Sequence, residues 1–254
     1  MLETPEQLKR NLLACFDHPQ DCVLGVEQEG TLMGVFSMMT EPQERYLEMM
    51  LALSEDEAAC GLALSYLRQQ FPGYTLDCVI HPACTAMRRA FAAMGGKWEP
   101  VQQKFRLPKP EAAAPVFHSS ASIPEGCHIH PCDAATRDAY IAMHTTDCYW
   151  TAQRVLEAPE RFAAYVAVEK NQVVGYLDVT RGFAENEVYD WQVQEASRNR
   201  GIGTNLLGKA IRQNGSGSMV MLLSQEEKAA CRAAEKNGFR MVAGAESITG
   251  TLVL

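Results

Sequence analysis

The sequence predicts an α+β protein built from two consecutive copies of one unit, and three observations support this prediction. A segment rich in Pro, Ala and Ser, residues 108–124, interrupts the chain and shows no apolar periodicity. On either side of it, strand and helix patterns follow in the same order, and 62 residues separate Gly34 from Gly96 in the first copy. The matching glycines of the second copy, Gly175 and Gly238, are 63 apart. The predicted organisation is a first domain over 1–107, a linker over 108–124 and a second domain over 125–254.

In the first copy, apolar residues alternate in the segments predicted as strands. In two longer segments they recur with the period of a helix. The glycine pair Gly95 and Gly96 ends its second helix. The predicted elements are, in order, strands over 23–28, 31–39 and 46–53, a helix over 58–70, a strand over 76–80, a helix over 83–94 and a strand pair over 98–107.

The second copy follows the same order and begins with an additional strand at residues 127–130. Lys170 and Asn171 form the polar turn of its first hairpin. Gly238 occupies a C-cap position and ends its last helix. The other predicted elements are a strand pair over 165–179, a strand over 187–193, a glycine turn and helix over 198–211, a strand over 218–224, a helix over 226–237 and two strands over 240–243 and 248–253.

Composition and charge exclude several classes of protein. An apolar fraction of 47% and a charged fraction of 21% are those of a globular protein and exclude wholesale disorder. The net charge of −8 argues against a general nucleic-acid binder, which gains affinity by neutralising phosphates. No apolar run approaches a membrane span, and the acidic start has no apolar signal core. Nine cysteines without a Cys-x-x-Cys pair indicate reduced thiols, so we expect a cytoplasmic protein.

The chemically informative motif is Arg198-x-x-Gly201-x-Gly203, at the point where a strand turns into a helix. Such a turn presents consecutive backbone N–H groups at the positive end of the helix dipole. Glycine lets a phosphate approach the main chain, because no Cβ stands in the way, and Arg198 and Arg200 add positive charge. The motif is neither a Walker loop nor a dinucleotide fingerprint. It predicts a cradle for a pyrophosphate.

The second copy as a whole resembles the GNAT superfamily of acetyl-CoA-dependent N-acetyltransferases. Its segment Arg198-Asn-Arg-Gly-Ile-Gly203 fits every fixed position of that family's [Gln/Arg]-x-x-Gly-x-[Gly/Ala] signature. Val193 stands five residues before Arg198, like the family's strand-end residue, and Asn237-Gly238-Phe239 resembles its Leu-Gly-Phe close. The resemblance covers about residues 125–254. Together with the repeat, it implies two tandem GNAT-like α+β domains, each a mixed, mostly antiparallel sheet flanked by helices.

The resemblance also implies acetyl-CoA as co-substrate and the residues that hold it. The amides of residues 199–204 would bind the pyrophosphate. The main chain at Val193 would separate from the next strand at a bulge, pair with the pantetheine arm and donate its N–H to the acetyl carbonyl. The implied cofactor-binding residues are Val193, Arg198, Asn199, Arg200, Gly201, Ile202, Gly203 and Thr204.

Acetyl transfer needs a neutral amine, so a base must remove a proton from the acceptor. Glu187 lies six residues before Val193, where the histone-acetyltransferase branch of the family has its catalytic glutamate. Glu187 is therefore the predicted base, Val193 the predicted oxyanion donor, and Glu185 a second base or an anchor for the substrate ammonium. Strand alternation predicts one shared face for Glu185, Glu187, Tyr189, Trp191 and Val193, with Asp190 on the opposite face.

Aromatic residues are the predicted contacts of the acceptor. Tyr149 and Trp150 follow the first helix of the second copy, in the loop with which GNAT folds recognise acceptors. We expect these two rings, together with Tyr189, to bind the substrate.

The chain departs from the family at the general acid. Many members have a Tyr four residues before the final Gly-Phe that protonates the leaving thiolate, and Ala234 stands there in this chain. Ser224, Cys231, Tyr189 or a water could substitute. Because a thiolate is a good leaving group, the reaction could also proceed without an acid.

The first copy has lost the signature. Ala58 stands at the place of Arg198, although Gly61 aligns with Gly201. Three acidic residues, 55–57, occupy the same region and would repel a phosphate. We therefore predict a degenerate copy that does not bind coenzyme A.

Two further clusters carry no predicted function. Cys127-His-Ile-His-Pro-Cys132 looks like a metal cluster, but no second ligand group at zinc spacing accompanies it, so no metal is predicted. His144, Asp147 and Cys148 suggest a nucleophile pair. Because they fall at the end of a helix beside the acceptor loop, direct transfer without a covalent intermediate is predicted.

The sequence thus predicts an N-acetyltransferase that moves an acetyl group from acetyl-CoA to an amine of a small molecule or a peptide. Two alternatives stay open: a non-catalytic acetyl-CoA-binding or regulatory module, and an acyltransferase that uses a different acyl-CoA. No nucleic-acid or membrane partner is expected, and the chain is expected to be a monomer or a homodimer.

Overall fold

A computed structural model describes most of the chain and divides it into two compact units. The first unit comprises Met1–Gln102 together with Gly244–Leu254, and the second comprises Gln103–Ala243. Most of the linker predicted over 108–124 lies outside the described residues. The described residues are 21–108, 122–145, 149–214 and 217–254, with the single positions 6, 9, 10, 13 and 16.

The first unit is a mixed sheet with two helices. Strand β3 runs parallel to β4, whereas β1–β2 and β2–β3 are antiparallel. The β1–β2 turn carries positive φ at Glu29 (50°) and Gly30 (80°), as tight hairpins with a right-handed twist require. Its elements are β1 (Cys22–Gln28), β2 (Thr31–Glu41), β3 (Tyr46–Leu53), α1 (Glu57–Gln70), β4 (Thr75–Ile80), α2 (Thr85–Ala93) and β5 (Lys97–Trp98).

The second unit is also a mixed, mostly antiparallel sheet, with strand order β6-β11-β10-β9-β8-β7. Strands β10 and β11 pair in parallel, as expected when a helix connects two neighbouring strands, whereas β10–β9, β9–β8 and β8–β7 are antiparallel. Its elements are β6 (Gln102–Leu107), β7 (Cys127–Pro131), α3 (Arg137–Met143), α4 (Ala152–Glu157), β8 (Phe162–Glu169), β9 (Gln172–Thr180), β10 (Glu185–Val193), α5 (Ile202–Gln213), β11 (Ser218–Ser224) and α6 (Lys228–Lys236).

The end of the chain completes the first unit, although the repeat assigns it to the second copy. The last strand, β12, is one element over Arg240–Val253, so the prediction of two separate final strands is wrong. Ile248 to Val253 pair antiparallel with β4, and Ile248, Leu252 and Leu254 are buried in the first core. Conversely, Phe105 of β6 is buried in the core of the second unit. The bounds of the two units therefore differ from the predicted domain bounds. Apolar residues at the end of the chain are buried in the core of the first unit, and Phe105, from the predicted first domain, is buried in the core of the second.

The sheet of the second unit has a core on each face. On one face α5 and α6 supply Leu206 and Ala234, which pack with Phe239 and the strands. On the other face α3 and α4 supply Tyr140 and Ala152, which pack against Tyr176 and further strand residues. Among the described residues, none of the helices combines the length and apolar character needed to cross a membrane.

Candidate active site

Strands β10 and β11 diverge at the centre of the second unit. Their parallel register runs from Glu185↔Ser218 to Glu187↔Val220, and β10 continues to Val193. Residues 188–193 and β11 are all described, and no register pair joins them. This stretch of β10 is thus unpaired with β11, in the part of the sheet where the sequence predicts the pantetheine arm.

A β-bulge lies in β10 between Val188 and Asp190, where the register against β9 shifts. A bulge adds one residue and so exchanges the faces of the side chains that follow. Trp191 and Val193 accordingly pack with the core beneath α5, as Val188 does. The prediction that one face is shared from Glu185 to Val193 is therefore wrong, and Asp190 instead contacts the core on the α3 side through Tyr176.

Helix α5 begins at a glycine without a capping side chain. Gly201 is its N-cap in the left-handed region (φ 82°), and Asn199 has a φ of 60°. The first hydrogen bond of the helix runs from the Asn205 amide to the Gly201 carbonyl at 3.0 Å. The amides of Ile202 and of the two residues that follow precede this bond and belong to the free first turn. The turn thus offers N–H groups at the positive end of the helix dipole.

Gly203 is required by packing in the same turn. A Cβ at this position would lie 3.0 Å from Cζ2 of Trp191, closer than an ordinary contact. The indole therefore supports the main chain of the first turn directly. This contact positions the start of α5 over the splayed end of β10.

The arginines of the motif have protein partners in this structure. Arg198 Nε donates to the Val193 carbonyl at 3.0 Å. Arg200 forms two hydrogen bonds with the Glu169 carboxylate, at 2.8 and 2.6 Å. The hydrogen bond and charge of Arg200 hold the pKa of Glu169 below its usual value. Arg198 therefore joins the glycine turn to the end of β10, while Arg200 joins it to the end of β8.

The two predicted carboxylates of β10 have different surroundings. Glu187 is half-buried at the last residue that pairs with β11, and its amide donates to Thr180 Oγ1 at 2.7 Å. The Glu185 carboxylate forms ion pairs with Arg106 Nε at 2.7 Å and with Lys104 Nζ at 3.3 Å, and both cations belong to β6. Partial burial alone raises the pKa of Glu185, but these two cations outweigh it and the pKa lies below its usual value. The charge of Glu185 is thus shared by two cations of the protein.

The predicted acceptor contacts gather in one aromatic cluster. The ring centroids of Tyr149 and Trp150 are 5.5 Å apart, and Trp150 lies 4.8 Å from Phe162. Phe162 in turn lies 5.9 Å from Tyr189. Arg161 stacks on Trp150 at 4.5 Å from the ring centroid. The structure therefore joins the three predicted rings in one cluster, in which Phe162 connects Trp150 to Tyr189. The sequence analysis had no signal for Phe162.

On the α3 side of the sheet, His144 lies in a buried hydrogen-bonded network. Its Nε2 lies 2.7 Å from Asp178 Oδ2 and its Nδ1 lies 2.7 Å from the Thr145 carbonyl. Both ring nitrogens face oxygen atoms, the arrangement that an imidazolium requires, and burial raises the pKa of the partner Asp178. Burial alone lowers the pKa of His144, but these bonds and the charges of Asp178 and Asp190 outweigh it, so the net shift is upward.

Two tyrosines extend this network to the surface. Tyr140 donates its hydroxyl to Asp178 Oδ2 at 2.8 Å, and Tyr176 donates to Asp190 Oδ2 at 2.6 Å. The side chains of His144 and Asp178 are 1% and 0% exposed, whereas that of Asp190 is 20% exposed. Sequence reasoning missed this network. A charged Asp178 within a strand otherwise apolar on both faces was the available signal, because a buried carboxylate requires partners.

The remaining residues that the sequence analysis considered for catalysis or metal binding lie as follows. Ala234 is fully buried in the α5-side core. The thiol of Cys231 lies 3.6 Å from the Ser224 carbonyl, and burial raises its pKa. Asp147 and Cys148 lie outside the described residues, and the ring of His144 is engaged by Asp178. No group of three or more potential metal ligands occurs among the residues that the structure describes.

The family of this site follows from comparison with known proteins. The sequence profile of the acetyltransferase (GNAT) family matches residues 129–239. These residues match a GNAT domain, and we refer to them below as the GNAT domain. The match includes β10, the glycine turn and α5. A comparison with curated protein sequences gave no match.

Solved structures resemble the chain over nearly its whole length. A tandem GNAT protein from the clavulanic acid biosynthesis pathway, solved without AcCoA, aligns with a TM-score of 0.59 and 13% identity over 96% of this chain and 87% of its own. Two GCN5-related N-acetyltransferases align equally well in TM-score (0.59): one from Sphaerobacter thermophilus, 15% identical over 98% of this chain and 85% of its own, and one from Kribbella flavida, 12% identical over 99% and 96%. At these identities the likeness establishes the fold, so the chain has the architecture of tandem GNAT proteins.

The equivalent helix of the first unit has no comparable turn. Three residues, 54–56, connect β3 to α1, whereas eight, 194–201, connect β10 to α5 in the GNAT domain. Gly61, which aligns with Gly201, lies inside α1 and not at its start. The segment that forms the glycine turn in the GNAT domain is thus already helical in the first unit.

Proposed function

We propose that the chain is an N-acetyltransferase that transfers an acetyl group from acetyl-CoA directly to an amine of a small molecule or a peptide. The observation that carries the proposal is the coincidence of two features in the GNAT domain. Strand β10 diverges from β11 after Glu187, and the helix that follows starts at a glycine with no capping side chain. One feature accommodates an extended amide-bearing arm and the other an anion, and coenzyme A carries both.

The residues of the glycine turn fit coenzyme A. The amides of Ile202, Gly203 and Thr204 would hold the pyrophosphate, since the first turn of a helix binds anions through its N–H groups. Arg198 is exposed and would reach the phosphates from its place beside Val193. A residue with a Cβ at position 203 would displace the indole of Trp191. The turn thus combines free N–H donors with a glycine that packs closely against Trp191.

Direct transfer assigns simple roles to the side chains. The amine nitrogen attacks the thioester carbonyl carbon, the C–N bond forms, and the C–S bond breaks. Glu187 takes the proton that the amine loses, and the amide of Val193 donates to the carbonyl oxygen. Because burial raises the pKa of the Cys231 thiol, this group stays protonated at neutral pH and is the candidate donor to the leaving sulfur. No described residue is required to form a covalent bond to the acyl group.

A thiol-release assay with acetyl-CoA and a panel of primary amines, amino acids and short peptides tests the proposal. We expect at least one acceptor to gain the mass of an acetyl group with equal release of coenzyme A. If acetyl-CoA binds but no amine in the panel is acetylated, the enzyme assignment fails and a binding or regulatory module takes its place. Turnover with a longer acyl-CoA but not with acetyl-CoA would show that the acyl donor is not acetyl-CoA and that the chain is a different acyltransferase.

A further inference from the structure

Asp190 is the exposed end of the network around His144, and it carries an uncompensated charge. His144 and Asp178 form a buried hydrogen-bonded pair that is neutral as a whole, and Asp190 adds a second carboxylate, so the net charge of the network is negative. His144 is closer to Asp178 (2.7 Å) than to Asp190 (3.7 Å). The charges of His144 and Asp178 thus cancel within that pair, and the negative charge that remains lies at Asp190, the carboxylate nearest to solvent.

The hydrogen bonds of Asp190 hold its side chain in place and leave acceptor capacity. Tyr176 donates to Oδ2 at 2.6 Å, and the Trp191 amide donates to Oδ1 at 2.7 Å. Tyr176 is itself fixed, because its hydroxyl accepts the Thr145 amide at 3.1 Å and its ring stacks on His144 at 5.0 Å. An ionised carboxylate has about four acceptor sites. Two are used here, so Asp190 can accept further donors from a ligand.

The position of Asp190 matches that of an acceptor contact. It lies at the bulge, within the stretch of β10 that has separated from β11. Its chain neighbour Tyr189 belongs to the aromatic cluster with Phe162 and Trp150. Gln192 on the same strand donates to Thr145 Oγ1 at 3.3 Å, four residues before Tyr149 of that cluster in the chain. A fixed negative charge and aromatic rings are thus adjacent at the open part of the strand.

We propose that Asp190 binds the ammonium group of the acceptor, and that the site therefore selects amines that are cationic at neutral pH. Tyr176 and His144 act as positioning residues that hold the carboxylate. The inference rests on the proposed function, because it names the class of acceptor for that site. Glu187 stays the candidate for the base, so the two carboxylates have separate tasks: Asp190 holds the cation, and Glu187 removes the proton.

The charged and titratable groups that face His144 and Asp190 come from three elements. They are Tyr140 from α3, Tyr176 and Asp178 from β9, and Asp190 itself from β10. The thiol of Cys132 lies close enough to affect Tyr140 and Asp178. Among these described groups His144 is the one that can carry a positive charge, so the group as a whole is anionic.

The test compares two ligands of the same shape and different charge, phenethylamine and phenethyl alcohol. Their binding to the full-length protein is measured at pH 7 by titration calorimetry in the presence of coenzyme A, which prevents turnover. A primary alkylamine, like a lysine side chain, is an ammonium at this pH. We expect the amine to bind about tenfold or more tightly than the alcohol, as one charge-assisted hydrogen bond supplies. In Asp190→Asn the two ligands should bind equally.

Two further variants keep the test decisive. Tyr176→Phe removes the hydroxyl that holds Asp190 and should reduce the preference for the amine about threefold. Asp138→Asn, an exposed change in α3, should leave the preference unchanged. A folding defect would weaken both ligands alike, whereas loss of the anchor weakens only the amine. Equal binding of the two ligands to the wild type, or a preference that persists in Asp190→Asn, would overturn the proposal.

The outcome is separable from that of the proposed function. Charge-dependent binding that requires Asp190, without acetylation of any amine, would refute the enzyme and keep the ammonium site. Acetylation with no role for Asp190 in amine binding would keep the enzyme and remove the anchor.

Discussion

The carboxylate of Asp56 accepts a hydrogen bond from the amide of Ala59 at 2.6 Å, at the start of α1. Asp56 is thereby the N-cap of the helix in the first unit that corresponds to α5 of the GNAT domain. The protein's own carboxylate occupies the place that an anionic ligand would take. The start of α5 has Gly201 instead, with no side-chain cap. Two related helices thus begin in opposite ways, one closed to anions and one open to them.

This contrast predicts that Gly201→Glu abolishes binding of acetyl-CoA. The new carboxylate would repel the phosphates, and a side chain at φ 82° adds strain of about 1–2 kcal/mol. Ligand at a hundredfold excess over its Kd stabilises the wild type by about 2.7 kcal/mol. We expect the corresponding thermal shift on adding acetyl-CoA to disappear in the variant.

The matched control is Gly61→Glu in the first unit. Nothing lies within 4 Å of a Cβ at Gly61, and its φ is not in the left-handed region. This variant adds the same charge at the aligned position and should keep the full thermal shift. A loss of the shift in Gly61→Glu would instead place coenzyme A in the first unit.

Removal of the predicted base should affect turnover more than binding. Glu187→Gln keeps the shape of the side chain but cannot accept the amine proton, so kcat should fall about 100-fold or more. The KM for acetyl-CoA should change by less than about threefold, because the glycine turn is untouched. Steady-state kinetics with the best acceptor of the panel measures both. Glu195→Gln, an exposed change two residues after β10, is the control, and an unchanged kcat in Glu187→Gln would remove the assignment.

The network around His144 predicts a pH dependence of stability. Its pKa is raised in the folded state, so the folded protein binds the proton more tightly than the unfolded chain does. The resulting stabilisation is complete below the unfolded value of about 6.5 and is lost as pH rises through the higher folded pKa. Denaturant unfolding across this range should show the free energy of unfolding decreasing with pH.

The variant His144→Gln should lose that dependence. It leaves Asp178 buried without its cation, which costs about 3 kcal/mol or more. The exposed His128→Gln should keep both the stability and the slope of the wild type. A variant of His144 with the wild-type slope would show that another group controls the dependence.

The assignment of the chain end to the first unit makes a prediction at two adjacent residues. Leu252 is 3% exposed in the first core, whereas Val253 is 66% exposed. Leu252→Ala should lower the free energy of unfolding by about 3 kcal/mol, and Val253→Ala by less than about 0.5 kcal/mol. Chemical denaturation measures both changes. Equal effects would mean that this segment does not complete a core.

The order of elements could be predicted because it depends on local periodicity. The helix predicted over 58–70 is α1 (Glu57–Gln70), and the strand predicted over 218–224 is β11 (Ser218–Ser224). The segment from Arg198 to Gly203 was recognised because phosphate binding by a helix start requires residue types at fixed spacing. Residues that meet from distant strands, such as Asp178 and Asp190, have no such spacing.

The sequence by itself determined the family resemblance, the repeat and the glycine turn, since each is written in neighbouring residues. Only the tertiary structure decided which unit the last strand completes, because burial of Ile248 and Leu252 depends on the strands beside them. It also decided the face of Asp190, because a bulge is a property of the pairing between two strands and not of either strand alone. From strand alternation alone, Asp190 was expected on the face opposite to Glu187. The observed pairing of β9 with β10 instead brings Asp190 to Tyr176 and His144.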